Sequence, residues 1–190
     1  EWGESTYRNT LKSRIYRLTS NTENAINKLE EKIIKNPKSE QEYLNLIYLY
    51  SDEGNAQKAF DTAKELIKQQ PKSQLAHLAL YKFYLDEGNS QESINSMNVV
   101  FTSDQIENKS KNRVLEDFLI FTKKNPGYKS EIEGLDLNIL ALENSQVYLL
   151  LGDYYLSEED NEQAINFYKK GIENDLDNYG LLKNTILLQL

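Results

Sequence analysis

The chain has no cysteine, one histidine, three prolines and eight glycines among its 190 residues. The absence of cysteine excludes disulfides, thiol catalysis and thiolate metal sites, and it leaves the redox compartment open. No stretch reaches the roughly 18 apolar residues that a membrane-spanning helix needs. The sequence therefore predicts no membrane span in these residues. It leaves two compartments open, the cytoplasm or, if a signal peptide was removed, the periplasm or cell envelope.

Basic residues are too few for a nucleic-acid partner. The net charge is −8, and phosphate binding needs clustered lysine and arginine. Residues 1–39 carry eight basic and five acidic side chains, whereas residues 140–190 carry three basic and nine acidic ones. Such asymmetry can steer a partner or favour head-to-tail contact, although solvated faces without a partner are the simpler interpretation.

The composition also suggests an origin. Its high content of asparagine, lysine, isoleucine and tyrosine is typical of a bacterial protein from an AT-rich genome. Because the chain begins with Glu1 and its single methionine is Met97, we expect a fragment or a processed form of a longer protein.

The main positive feature is a short sequence motif that recurs at a fixed interval. Glu53-Gly54-Asn55 recurs as Glu87-Gly88-Asn89, and Pro37-Lys38-Ser39 recurs as Pro71-Lys72-Ser73, in both cases after 34 residues. A period of this length predicts a solenoid of helix pairs. Such solenoids usually bind other chains and rarely carry out chemistry.

Residues 40–73 show how one repeat is built. Ser39 and Glu42 have the spacing of a capping box at the start of a first helix. Gly54 supplies the left-handed residue that ends this helix, and Asn55 can cap the next. Ala59 and Ala63, both small, allow the two helices to approach closely. The apolar positions of the first helix recur at helical spacing; they are Tyr43, Leu46, Ile47 and Tyr50.

This pattern resembles the tetratricopeptide repeat family, a 34-residue helix–turn–helix unit. Ile47 and Tyr81 depart from the pattern, since the family usually has a small residue in their slot. The best match is residues 145–178, where the fitting residues are Tyr148, Leu151, Gly152, Tyr155, Ala164, Tyr168 and Gly171. The resemblance implies an all-α, right-handed superhelical solenoid of antiparallel helix pairs, with about four units and a C-terminal helix.

We expect a single domain over residues 1–190. Its units are residues 5–39, 40–73, 74–107, an irregular unit at 108–144, residues 145–178, and a closing helix at 179–190. The irregular unit has a helical stripe from Val114 to Phe121, a break at Asn125-Pro126-Gly127, and a possible second helix from Ile132 to Leu142.

Nothing in the sequence indicates an enzyme, a cofactor or a metal site. His77 occupies a packing slot and has no second histidine or cysteine with which to share a metal or a nucleophile. A glycine-rich phosphate loop and a nucleophile elbow are both absent. We therefore expect a non-enzymatic protein.

The resemblance implies a binding surface, because the first helix of each tetratricopeptide pair lines a concave groove. The groove positions it implies are Arg14, Arg17, Leu44, Asn45, Tyr48, Asp52, Leu78, Lys82, Asp86, Leu149 and Asp153. Some members of the family clamp a C-terminal carboxylate with lysine and asparagine, and only Asn45 fits that scheme here. Apolar residues mixed with charge suit instead an amphipathic helix or an extended peptide of a protein partner.

The C-terminal helix suggests an alternative function. Leu182, Ile186, Leu187 and Leu188 leave an apolar face that solenoids normally cover with a polar cap. A second copy of the chain, as a homodimer, or further repeats could cover it. A structural self-assembly module and a carrier for a small ligand therefore both stay open beside the peptide-binding scaffold.

Overall fold

A computed structural model describes residues 22–135 and 144–189. Within these ranges the chain forms nine α-helices and one 3₁₀ helix, and it forms no strand. The α-helices are α1 Thr22–Lys35, α2 Glu40–Asp52, α3 Ala56–Gln69, α4 Gln74–Asp86, α5 Ser90–Phe101, α6 Asn108–Lys124, α7 Gln146–Ser157, α8 Asn161–Asn174 and α9 Tyr179–Gln189. The predicted all-α class is thus confirmed. The chain divides into two units, Glu1–Asn89 and Ser90–Leu190.

The helix boundaries of the first unit follow from a few local signals. Gly54 and Gly88 have φ values of +73° and +72°, and such left-handed residues end α2 and α4 as the repeated motif predicts. The Asn55 side chain accepts a hydrogen bond from the Lys58 amide at 3.2 Å, which caps α3. Ser73 caps α4 in the same way. These caps fix where each helix begins and ends.

The capping box predicted at Ser39 and Glu42 takes a different form. Ser39 is the N-cap of α2, but its side chain makes no capping bond to a backbone amide. Its hydroxyl instead donates to the Glu42 carboxylate. The backbone amides of Glu42 and Tyr43 donate instead to the backbone carbonyl of Ser39.

The first unit is held together by close contact between neighbouring helices. Ala59 and Ala63 on α3 are fully buried, as their small size predicts. The Phe60 ring lies 5.4 Å from the rings of both Phe83 and Tyr84 on α4. Ile47, which departs from the family pattern, is buried in the same core. The core of this unit therefore accommodates a large residue at a position where the family usually has a small one.

The second unit contains the irregular segment. Its helix α6 ends at Lys124, and after Asn125 a 3₁₀ helix begins at Pro126 and extends over Pro126–Gly134. The second helix expected from Ile132 to Leu142 is wrong at its start, because residues 132–134 belong to this 3₁₀ helix and Leu135 follows it with extended backbone. The rest of that expected helix lies outside the described residues.

Small residues also let helices approach closely in the second unit. Ala164 on α8 is fully buried, as predicted, and Gly152 on α7 lies against the Tyr168 ring. A Cβ atom at Gly171 would come within 2.6 Å of Leu181 Cδ1. Leu181 is itself fully buried, so α9 packs on α8 through this residue.

Candidate functional site

The predicted groove residues of the first unit lie on two first helices that contact each other, α2 and α4. Spacings of three or four residues put Leu44 and Tyr48 on one face of α2, and Leu78 and Lys82 on one face of α4. We call the side of each first helix that carries such positions its first-helix face. Leu44, Asn45, Tyr48 and Leu78 are half-buried, whereas Asp52, Lys82 and Asp86 are exposed.

These side chains differ in their accessibility to a partner. Leu44 packs partly against the core of the first unit. The Asn45 carboxamide accepts a hydrogen bond from Gln41 at 3.1 Å, within the same helix. Arg14 and Arg17, the two basic groove positions expected near the N-terminus, lie outside the described residues. The accessible first-helix face of this unit is therefore a mixture of apolar and charged groups.

A hydrogen bond behind this face fixes the ring of a core tyrosine. The Tyr50 hydroxyl donates to Glu30 Oε1 on α1 at 2.6 Å. Burial, together with this carboxylate, raises the pKa of Tyr50 to about 12. Tyr50 is therefore a neutral packing residue that ties α2 to α1, in agreement with its predicted place in the core.

The second unit has a first-helix face that is absent from the predicted groove positions. One side of α6 and the start of α7 line a cavity of about 760 Å³. Its lining residues are Lys109, Asn112, Arg113, Glu116, Asp117, Ile120 and Gln146. All but Gln146 belong to α6, at the spacing that brings side chains onto one helix face.

A signal for these residues was present in the sequence. The irregular unit is 37 residues long instead of 34. Subtracting 37 from the predicted groove positions Leu149 and Asp153 gives positions 112 and 116, where Asn112 and Glu116 stand, and the same interval relates Gln146 to Lys109. The first helix of this unit therefore carries the same face, and the three extra residues fall after it.

The start of α7 is fixed beside this cavity by two side-chain amides. Asn112 Nδ2 donates to Asn144 Oδ1 at 3.3 Å, and Asn144 Nδ2 donates to Asn112 Oδ1 at 2.5 Å. Asn144 is buried and directly precedes the first turn of α7. This reciprocal pair holds Gln146 near the α6 face.

Asp153 on α7 has a structural partner on each of the next two helices. Its Oδ1 accepts hydrogen bonds from the Tyr168 hydroxyl at 2.7 Å and from Asn184 Nδ2 at 3.1 Å. Burial and the neighbouring Asp153 carboxylate raise the pKa of Tyr168 well above its usual value. The residue is nevertheless exposed, so Asp153 both links three helices and presents charge to solvent. Leu149, the other predicted position on α7, is half-buried against the core formed by Ala164, Tyr168 and Leu181.

The four residues expected to mediate self-association do not share one environment. Ile186 and Leu187 on α9 are 58% and 61% exposed. Leu188 packs against the core of the second unit, and Leu182 is half-buried. The assignment of Leu188 to an open apolar face is therefore corrected, because one side of α9 docks on α8. Leu187 lies 34 residues after Asp153, so the two residues occupy equivalent positions in the repeat. Leu187 is therefore on a first-helix face.

Comparison of this chain with known protein families agrees with this geometry. Residues 145–178 match the family model described as tetratricopeptide repeat. This chain contains a tetratricopeptide repeat. The match covers α7, α8 and the turn between them, where Gly152 meets Tyr168. The resemblance noted in the sequence is thus confirmed, and proteins built from tetratricopeptide repeats are generally non-enzymatic scaffolds that bind other proteins.

Solved structures show the same fold. A crystal structure of MamA is 16% identical with a TM-score of 0.52, and the match covers 86% of this chain and 94% of that chain. PilF of Pseudomonas aeruginosa is 17% identical with a TM-score of 0.52, and the match covers 98% of this chain and 83% of that chain. At such identities the similarity establishes the tetratricopeptide-type fold alone. Among curated proteins, no match to this sequence is found.

Residues 22–135 and 144–189 lack two other functional features. In these ranges no three histidine, aspartate or glutamate side chains group together as metal ligands. None of the helices described there is both long and apolar enough to cross a membrane.

Proposed function

We propose that this protein is a non-enzymatic scaffold that binds a peptide or helix of a partner protein on its first-helix faces. The observation that carries the proposal is the partial exposure of Tyr48 and Leu78 on two first helices that contact each other. Apolar groups left open between charged ones are typical of interaction surfaces, and tyrosine is enriched where binding energy concentrates. The general role of tetratricopeptide proteins supports the same function.

Peptide selection by phage display on the immobilised protein tests this proposal. Selected peptides should bind the unaltered protein and should lose affinity for the variants Tyr48→Ala and Leu78→Ala, because each removes an apolar contact from the first-helix face. Gln57→Ala is the matched control, since Gln57 is exposed on the second helix α3. Equal binding by all four proteins, with unchanged helix content, would contradict the proposal.

The exposed pair on α9 supports a second candidate function, self-assembly through a second copy of the chain. Ile186 and Leu187 are adjacent and exposed, and two-fold pairing is the commonest form of assembly. The mass in solution, measured by light scattering at high micromolar concentration, should be that of a dimer. It should fall to that of a monomer in the double variant Ile186→Glu, Leu187→Glu. A monomeric unaltered chain would rule this candidate out.

A further inference from the structure

The cavity beside α6 is lined by charges in a defined order. Lys109 and Arg113 occupy the first two turns of the helix, the carboxylates of Glu116 and Asp117 follow one turn later, and Ile120 closes the row. Ile120 is 46% exposed, which is high for a large apolar side chain. Along one helix face the sequence of groups is therefore basic, acidic and apolar.

Three charged residues of this row, Lys109, Arg113 and Glu116, are available to a ligand. Within residues 22–135 and 144–189, the side chains of Lys109, Arg113 and Glu116 enter no ion pair. All three are exposed in a chain whose net charge is −8. Lys109 is also placed against the preference of a helix, because the first turn favours acidic side chains. A departure from a local rule without a compensating partner in the fold is expected at functional positions.

The spacing of the row matches an extended peptide. With a rise of about 1.5 Å per residue, the midpoint of the basic pair lies about 7.5 Å from Glu116 along the helix axis, and Ile120 lies about 6 Å further. An extended chain advances about 6.6 Å for every two residues, and alternate side chains point to the same side. Three alternate residues of an extended peptide would therefore face the three kinds of group in turn.

Resting on the proposed function, we infer that this cavity binds an extended peptide segment of a partner protein whose alternate residues are acidic, basic and apolar. The acidic residue meets Lys109 and Arg113, the basic residue meets Glu116, and the apolar residue covers Ile120. The cavity of about 760 Å³ is within the usual size range of binding sites. The apolar end of the row, at Ile120, differs from its basic end, at Lys109 and Arg113. The apolar residue of the peptide therefore fixes which end of the peptide lies at Ile120. The order of the peptide's charges relative to that residue then sets the specificity.

Two synthetic peptides of identical composition test this inference. The matched peptide carries Glu, Ser, Lys, Ser and Leu between neutral ends, and the swapped peptide carries Lys, Ser, Glu, Ser and Leu. Affinities are measured by NMR titration of the isotope-labelled full chain. The matched peptide should bind roughly tenfold more tightly, because the swap replaces attractions with repulsions at both charged positions. Shifts should centre on residues 109–120 and Gln146, and the preference should weaken at high salt.

The second part of the experiment uses a variant of the protein in which the charges are reversed. In the triple variant Lys109→Glu, Arg113→Glu, Glu116→Lys the preference should invert in favour of the swapped peptide, while circular dichroism reports an unchanged helix content. Equal affinity for the two peptides, no binding of either, or shifts centred on α2 and α4 would overturn the inference. If it fails while phage-selected peptides still depend on Tyr48 and Leu78, the proposed function stands. If that dependence is also absent, both fail.

Discussion

Gly152 on α7 lies so close to the ring of Tyr168 on α8 that a Cβ atom at position 152 would overlap the ring edge. Tyr168 is fully buried, and its hydroxyl is bonded to Asp153 at 2.7 Å. The ring is therefore enclosed by the protein and held at its hydroxyl. Contact between these two residues sets the distance between the helices of the best-matching repeat.

Replacing Gly152 with alanine should lower the stability of the second unit. The added methyl group forces α7 and α8 apart, and overpacking of this kind costs about 1–3 kcal/mol. Urea unfolding followed by circular dichroism measures the change in the free energy of unfolding. Gly127→Ala is the matched control, because a Cβ atom there meets nothing within 4 Å. A Gly152→Ala variant as stable as this control would contradict the predicted overlap.

Enlarging the buried alanines should have a similar effect. Ala59 and Ala164 are both 0% exposed at contacts between helices, so Ala59→Leu and Ala164→Leu should each cost about 1–3 kcal/mol. The melting temperature measured by calorimetry reports the loss. Ala56→Leu serves as the control for the first change, since Ala56 is exposed on the same helix as Ala59. Equal melting temperatures for Ala59→Leu and Ala56→Leu would show that Ala59 does not lie at the contact between the helices.

Alkaline pH should destabilise the first unit through Tyr50. Below pH 10 this tyrosine is neutral whether the chain is folded or unfolded, so its hydrogen bond contributes fully. Between pH 10 and about 12 the unfolded chain releases the proton while the folded chain keeps it, and stability falls by up to about 1.4 kcal/mol per pH unit. Tyr50→Phe removes the titrating hydroxyl. Urea unfolding across this pH range should therefore give a shallower decline for Tyr50→Phe, and equal slopes would refute the prediction.

Two neighbouring leucines on α9 should respond differently to the same substitution. Leu187 is 61% exposed, and Leu187→Glu should change the free energy of unfolding by less than about 0.5 kcal/mol. Leu188 packs against the core formed by Ala164, Tyr168 and Leu181, and Leu188→Glu should cost about 1–3 kcal/mol because it brings a charge to an apolar contact. Thermal melts of dilute protein separate the two. Equal melting temperatures would mean that α9 does not dock on α8 as described.

Much of the fold could be predicted because its signals are local. Gly54 and Gly88 take the left-handed conformation that ends a helix, and Asn55 caps the helix that follows. Ala59 and Ala164 are buried where small residues are needed. Each of these properties depends on residue type and on a repeat interval of 34 residues, and both can be read from the sequence.

The parts that could not be predicted depend on tertiary contacts or on a change in the interval. The α6 face does not follow from the 34-residue interval, because its unit is three residues longer and is broken at Asn125-Pro126-Gly127. Ser39 met the spacing rule for a capping box, yet its hydroxyl bonds Glu42 instead of the backbone. Leu188 could not be distinguished from Leu187 by residue type, because the docking of α9 on α8 decides which of the two is covered.

The carboxylate of Asp153 is held in place before any partner arrives. Hydrogen bonds from Tyr168 and Asn184 to the same oxygen fix its rotamer, although the residue is exposed. Ordering a flexible side chain at an interface usually costs about 0.5–1.5 kcal/mol of conformational entropy. At Asp153 this ordering has already occurred during folding. A cationic group of a partner would therefore meet a preorganised charge at this position, and the loss of side-chain freedom would fall on the partner alone.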